Sequence, residues 1–219
     1  MIISRGRAYA FVHIPKTGGT SMALELEDRA MKDDIMLGDT PKASKRRRRL
    51  QGVQTRGRLW KHSTLSDIDG LISTEELAGL FTFTMVRNPW DRMVSYYHWL
   101  RDQSFDHPAV ALAKAQDFAG FLRDPATQSA QRNWPAARYM TDVNGVERCS
   151  LFIRLEHFAA DVAPLSAHLG FDVTLPQTNC SERAAGYQDY YTDELRQIVA
   201  QCCTIDITRF GYRFGDELH

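Results

Sequence analysis

The order of segments along this chain predicts an α/β domain with a central, largely parallel sheet flanked by helices. Three observations carry that expectation. Short apolar runs rich in aromatic or β-branched residues occur at 8–14 (AYAFVHI), 80–86 (LFTFTMV) and 150–155 (SLFIRL). Each run leads into a segment with helical spacing. The 219 residues are enough for a single domain with a substantial core.

The elements follow in order. Residues 8–14 read as a buried strand, and 20–31 as a helix with Met22, Leu24, Leu26 and Ala30 among its apolar positions. A basic loop and a short helix come next, and 80–86 forms the second buried strand. Asn88 and Pro89 then open a helix as its cap and first residue. Residues 109–123 and 126–140 carry helical spacing. The third strand, 150–155, leads into a helix that runs to about Leu169 and stops at Gly170. A final helix spans 192–203, with Asp193 and Glu194 in the first turn, where the macrodipole favours them.

Composition bounds the class. No run approaches the apolar length of a membrane span, and the N-terminus enters a candidate strand without the apolar region of a signal peptide. The expectation is a cytoplasmic protein without stable membrane insertion. Cys149, Cys180, Cys202 and Cys203 form no C-x-x-C pair, so reduced thiols and no metal framework are expected. Formal net charge is zero, yet Pro41–Lys61 holds nine basic residues and no acidic one. That asymmetry points to an anionic partner for one region. The stretch reads either as a contact for an acidic acceptor or as a solvated, mobile loop at about 41–61. Its RRRR run lacks interleaved aromatics and a recognisable module, so a nucleic-acid partner is not expected.

Two strand–helix junctions carry unusual chemistry, and in such sheets ligands bind at the carboxyl ends of strands. The first is HIPKTGGTSM, residues 13–22. Unpaired N–H groups at a helix start attract phosphate or sulfate. Gly18 and Gly19 let the backbone approach an oxyanion, Thr17, Thr20 and Ser21 add hydroxyls, and Lys16 adds a mobile charge. The pattern differs from Walker A, in which lysine follows the glycines. The second junction is VRNPWDRMVSYYHWL, residues 86–100. Arg87 ends the strand and can fork onto a phosphate, or it can pair with a carboxylate such as Asp91. Ser95 lies about two helical turns past Asn88 and can join Arg87 on one phosphate.

Together these motifs resemble the sulfotransferase family. PKTGGTS is similar to its 5′-phosphosulfate loop and RNPWDRMVSYY to its 3′-phosphate motif. The form HIPKTGGTS resembles the carbohydrate branch that includes heparan sulfate 2-O-sulfotransferases. RLEHF, TNCSERAAGYQDYYTDEL and DITRFGYRF extend the resemblance along most of the chain, with about 102–148 least covered. The resemblance implies a three-layer, P-loop-like sulfotransferase fold over a single domain, 1–219. It also implies 3′-phosphoadenosine 5′-phosphosulfate (PAPS) as donor, 3′,5′-adenosine bisphosphate (PAP) as product, and no metal.

By the same resemblance, Lys16 stabilises the leaving oxygen, residues 17–21 hold the phosphosulfate, and Arg87 and Ser95 hold the 3′-phosphate. Arg183, with Ser181, closes over the nucleotide. His62 stands where this branch carries a histidine base, and its ordinary pKa near neutrality suits proton transfer. Glu25 and Glu156 are alternative bases. His13 reads as a packing or loop-anchoring residue, and His98 as late on its helix among aromatics. The expected acceptor is a carbohydrate or another hydroxyl compound, acidic if the basic stretch touches it. Two rival readings are a nucleotide-dependent phosphotransferase and a non-catalytic polyanion-binding protein on the same fold.

Overall fold

In the computed structural model, which describes residues 1–175 and 186–216, the three sequence-predicted strands lie side by side in one sheet. In chain order the elements are β1 (Ile2–Ser4), β2 (Tyr9–Val12), α1 (Gly19–Asp28), β3 (Ile35–Met36), α2 (Pro41–Arg46), α3 (Thr74–Ala78) and β4 (Phe81–Val86). Then come α4 (Pro89–Arg101), α5 (Pro108–Ala115), α6 (Phe118–Arg123), α7 (Pro125–Asn133) and α8 (Ala136–Tyr139). β5 (Leu151–Arg154), α9 (Phe158–Asp161), α10 (Ala163–Leu169), α11 (Asp193–Cys202) and α12 (Thr204–Phe210) complete the order. The described residues cluster into two compact units: those of Met1–Val86 with Ala136–Asn179, and those of Arg87–Pro135 with Cys180–His219.

The first unit holds the sheet, in the order β3-β1-β2-β4-β5. β2, β4 and β5 are parallel, and β1 runs antiparallel to both of its neighbours, β2 and β3. The sheet is therefore mostly parallel, with β1 as its reversed strand. β1 and β3 are the two strands the sequence pattern does not announce. At three and two residues they are too short to show a period of two.

Alternation puts Tyr9 and Phe11 of β2, Phe83 and Met85 of β4, and Ile153 of β5 into one core. Met22, Ala23 and Leu26 of α1 and Leu165 and Leu169 of α10 join that core. The Phe11 and Phe83 rings stack at 5.2 Å. Each such side chain contributes roughly 1.5–3 kcal/mol by leaving water. On the intervening positions, the Thr84 hydroxyl donates to Val12 O at 2.7 Å and ties β4 to β2.

The basic stretch is structured. Residues 41–46 are α-helical and 47–50 form a 3-10 turn, with Pro41 in the first turn of α2. Thr40 makes no side-chain cap there; instead the buried Glu27 carboxylate accepts from Lys42 N at 2.8 Å. Guanidinium groups reach back to carbonyls: Arg46 to Asp34 O at 3.1 Å and Arg49 to Lys32 O at 2.6 Å. Part of the positive charge therefore serves to pin this segment to residues 32–36.

Several predicted helices are broken, each for a local reason. Ala30 N returns to Glu27 O, so α1 ends in a turn at Asp28. Asp117 caps α6 by accepting from Gly120 N at 2.7 Å, which splits 109–123 into α5 and α6. Pro135 separates α7 from α8, and Pro164 falls in the first turn of α10, after the break from α9. In the second unit Asn88 caps α4 by accepting from Trp90 N at 3.1 Å, as its sequence position predicts. The Trp90 indole donates to Arg196 O at 3.0 Å, joining α4 to α11.

At the end of β5, Arg154 grips Asp161 of α9 with Nε–Oδ2 at 2.7 Å and Nη2–Oδ1 at 2.8 Å. The Arg154 hydrogen bonds hold the Asp161 carboxyl below the usual aspartate range, against the opposing effect of partial burial. A depressed folded-state pKa stabilises above the unfolded value of about 4 and is lost as pH falls through the folded value. Asp161→Asn is expected to cost about 1 kcal/mol at pH 7 and little at pH 2–3, read by urea unfolding across that range.

Candidate functional site

Between β2 and α1 the backbone makes two left-handed excursions. Lys16 sits at φ +66° and Gly18, the N-cap of α1, at φ +84°. A lysine in that region costs roughly 1–2 kcal/mol, so the surroundings must impose it. The Thr17 hydroxyl donates to Ile14 O at 2.9 Å and is buried, closing the turn from inside. The Thr17 hydroxyl is therefore engaged within the turn. Left-handed residues in a tight turn let successive N–H groups converge on an anion. α1 carries no side-chain cap and no acidic residue in its first turn. Thr20 is exposed at the start of that helix, and Ser21 is buried beside it.

The two glycines are required by packing as well as by conformation. A Cβ on Gly18 would stand 2.9 Å from Leu155 Cδ1, on top of its positive φ. A Cβ on Gly19 would stand 2.1 Å from His13 Cδ2. The imidazole of His13 thus lies directly against the start of α1. It is 6% exposed, and burial, reinforced by His62, Lys61 and Lys16, holds its pKa well below the ordinary histidine value. His13 is neutral at physiological pH.

His13 also connects the turn to His62. His62 Nδ1 lies 2.8 Å from His13 O, and the two rings meet edge to face at 4.6 Å. A backbone carbonyl can only accept, so Nδ1 carries the hydrogen and the neutral His62 ring has its lone pair on Nε2. That is the tautomer a general base needs. The structure therefore brings together His62, His13 and Gly19, a contact chain that no sequence spacing reveals. The alternative carboxylates are differently placed: Glu25 pairs with Arg29 at 2.7 Å along α1, and Glu156 is buried just after β5.

In the second unit, Arg87 directs Nε onto Asp91 Oδ2 at 2.8 Å, so the ion pair open to it in the sequence does form. Both side chains are largely buried. Arg has five N–H donors in a rigid fork, so a carboxylate that takes one edge orients the rest. Ser95 is half-buried in α4, two turns after the cap. Ser181 and Arg183 lie outside the described residues. Among the described residues no group of three or more His, Cys, Asp or Glu side chains is placed to hold a metal ion. None of the described helices is long and apolar enough to cross a membrane.

The chain belongs to the sulfotransferase family, whose family model matches residues 1–213. Among solved structures it is similar to the mouse sulfotransferase SULT7A1 complexed with PAP. Identity is 17% and the TM-score 0.47, over 94% of this chain and 85% of that one. No curated protein matches the chain.

The Gly19–His13 contact gives a direct test of how the turn is held. Gly19→Ala is expected to destabilise the protein by about 1–3 kcal/mol through overpacking. In the His13→Ala background the same change should cost markedly less, which a double-mutant cycle by thermal or urea unfolding will read.

Proposed function

We propose that this protein is a PAPS-dependent sulfotransferase that sulfates a carbohydrate hydroxyl, with His62 as base. The observation that carries the reading is the β2–α1 turn. It joins a left-handed Lys16, a glycine-lined helix start and, through His13, a histidine in its base-competent tautomer. Family membership supports the same chemistry.

In this reading the backbone of 17–21, with Thr20 and Ser21, holds the phosphosulfate of PAPS. Arg87, oriented by Asp91, and Ser95 hold its 3′-phosphate, with Arg183 and Ser181 completing the nucleotide site. The acceptor oxygen attacks sulfur in line as the bond from sulfur to the bridging phosphate oxygen breaks. The acceptor proton passes to His62 Nε2, and the electron pair leaves on the phosphate oxygen, where Lys16 offsets the new charge. The products are PAP and an O-sulfated acceptor. His13 stays neutral throughout, so it adds no second cation beside the protonated His62.

The test is PAP release in the presence of PAPS and a panel of neutral and acidic glycans. Lys16→Ala should lower kcat by about 10²–10³-fold, the scale of one lost oxyanion donor. His62→Gln should lower it by about 10²–10⁴-fold and remove the rising limb of the pH–rate profile, with PAP affinity unchanged. Full turnover in His62→Gln would remove His62 as base and return attention to Glu25 and Glu156.

A further inference from the structure

At the β3 end of the sheet lies a pocket that the proposed reaction does not use. It has a volume of about 420 Å³ and sits where β3, the end of α2 and the 3-10 turn at 47–50 meet Leu71. Small-molecule sites typically span about 300–1,000 Å³ and are mostly apolar with a few placed polar groups. The walls here are Ile35, Met36, Leu50, Val53 and Leu71. Ile35, Leu50, Val53 and Leu71 are only half-buried, so the pocket keeps apolar surface in contact with water.

The rim carries Lys32, Arg46 and Arg49. Positions 46, 49 and 50 are three and four residues apart, which brings both arginines and Leu50 to one side of the helical segment. Each guanidinium is fixed by a backbone carbonyl: Arg46 Nη1 donates to Asp34 O at 3.1 Å and Arg49 Nη1 to Lys32 O at 2.6 Å. A carbonyl accepts a hydrogen bond but carries no compensating charge, so both arginines are held in place and remain full cations. Among the described residues neither forms an ion pair. Two acidic residues share the lining. Asp34 is buried and its Oδ2 accepts from Met31 N at 2.8 Å, while Asp33 is exposed. Three cations against two carboxylates leave the rim net positive.

We propose that this pocket binds a small amphipathic anion, an alkyl chain of medium length that ends in one carboxylate. The chain leaves water against the apolar walls, and the carboxylate takes the Nε and Nη2 donors that the carbonyl bonds leave open. Both arginines are ordered before the ligand arrives, so binding loses little side-chain entropy. A small hydrophilic anion leaves the walls wet, and an uncharged chain leaves the guanidinium groups without an anionic partner. None of the lining residues belongs to the turn at 13–21 or is the candidate base. The site does not rest on the sulfotransferase reading.

The test is isothermal titration of the full chain with sodium octanoate below its micellar concentration, beside octanol and sodium acetate. Octanoate should bind once per chain and saturate, with octanol weaker by about tenfold or more and acetate giving no saturable heat. Arg49→Gln should weaken octanoate by about five- to tenfold and leave octanol unchanged. Val53→Trp, which fills the pocket from a half-buried wall position, should abolish the binding of both. Circular dichroism confirms that each variant is folded; should Arg49→Gln fail that check, Lys32→Gln at the exposed rim reads the same charge dependence. A wild type that gives no saturable heat with octanoate, equal affinity for octanoate and octanol, or undiminished octanoate binding by folded Val53→Trp would overturn the proposal.

Discussion

The close approach of the His13 ring to the backbone at Gly19 is the contact on which the first unit's chemistry depends. It works only if position 19 has no Cβ, and it fixes three things together. The start of α1 is held against the end of β2. The imidazole of His13 is buried and kept neutral. The His13 carbonyl is presented to His62, which sets that ring's tautomer. A lysine forced into the left-handed region belongs to the same compact turn, and its conformational cost of roughly 1–2 kcal/mol is small beside the packing that imposes it.

Charge is used in two distinct ways along the chain. In α2 and the turn after it, lysine and arginine side chains hold carbonyl groups, so a run that reads as a polyanion surface is in part a clamp. Arg58, further along, stands beside an aromatic surface and the candidate base. In the second unit Arg87 is held by Asp91, which fixes the orientation of its guanidinium. Positive charge is therefore informative only once the partner of each side chain is known, which composition alone does not reveal.

Much of the fold could be read from the sequence because its signals are local. β2, β4 and β5 are continuous apolar runs, Asn88–Pro89 is a strong helix start, and Gly170 caps α10 as its position suggests. β1 and β3 are silent in the sequence because strands of three and two residues carry no measurable period. Helical spacing over 109–140 overstates helix length because Asp117 is a better cap than an interior residue, and because Pro135 lies between one helix and the next. The loop residues Lys16 to Ser21, with Arg87 and Ser95, stand out by residue type and spacing. The link from Gly19 through His13 to His62 does not, since 43 residues separate its ends and no periodicity spans such a distance. The segment that holds Ser181 and Arg183 is the part of the proposed nucleotide site that rests on sequence likeness alone.

In the proposed function this chain holds a nucleotide by separate 5′- and 3′-phosphate groups. Calorimetric binding of PAP to the wild-type protein, beside ADP and ATP and without added magnesium, tests it most directly and needs no knowledge of the acceptor. PAP should bind at least tenfold tighter than ADP, since only PAP offers a 3′-phosphate to Arg87 and Ser95. Equal affinity for PAP and ADP, or a preference for ATP that appears with magnesium, would contradict it and favour a phosphotransferase.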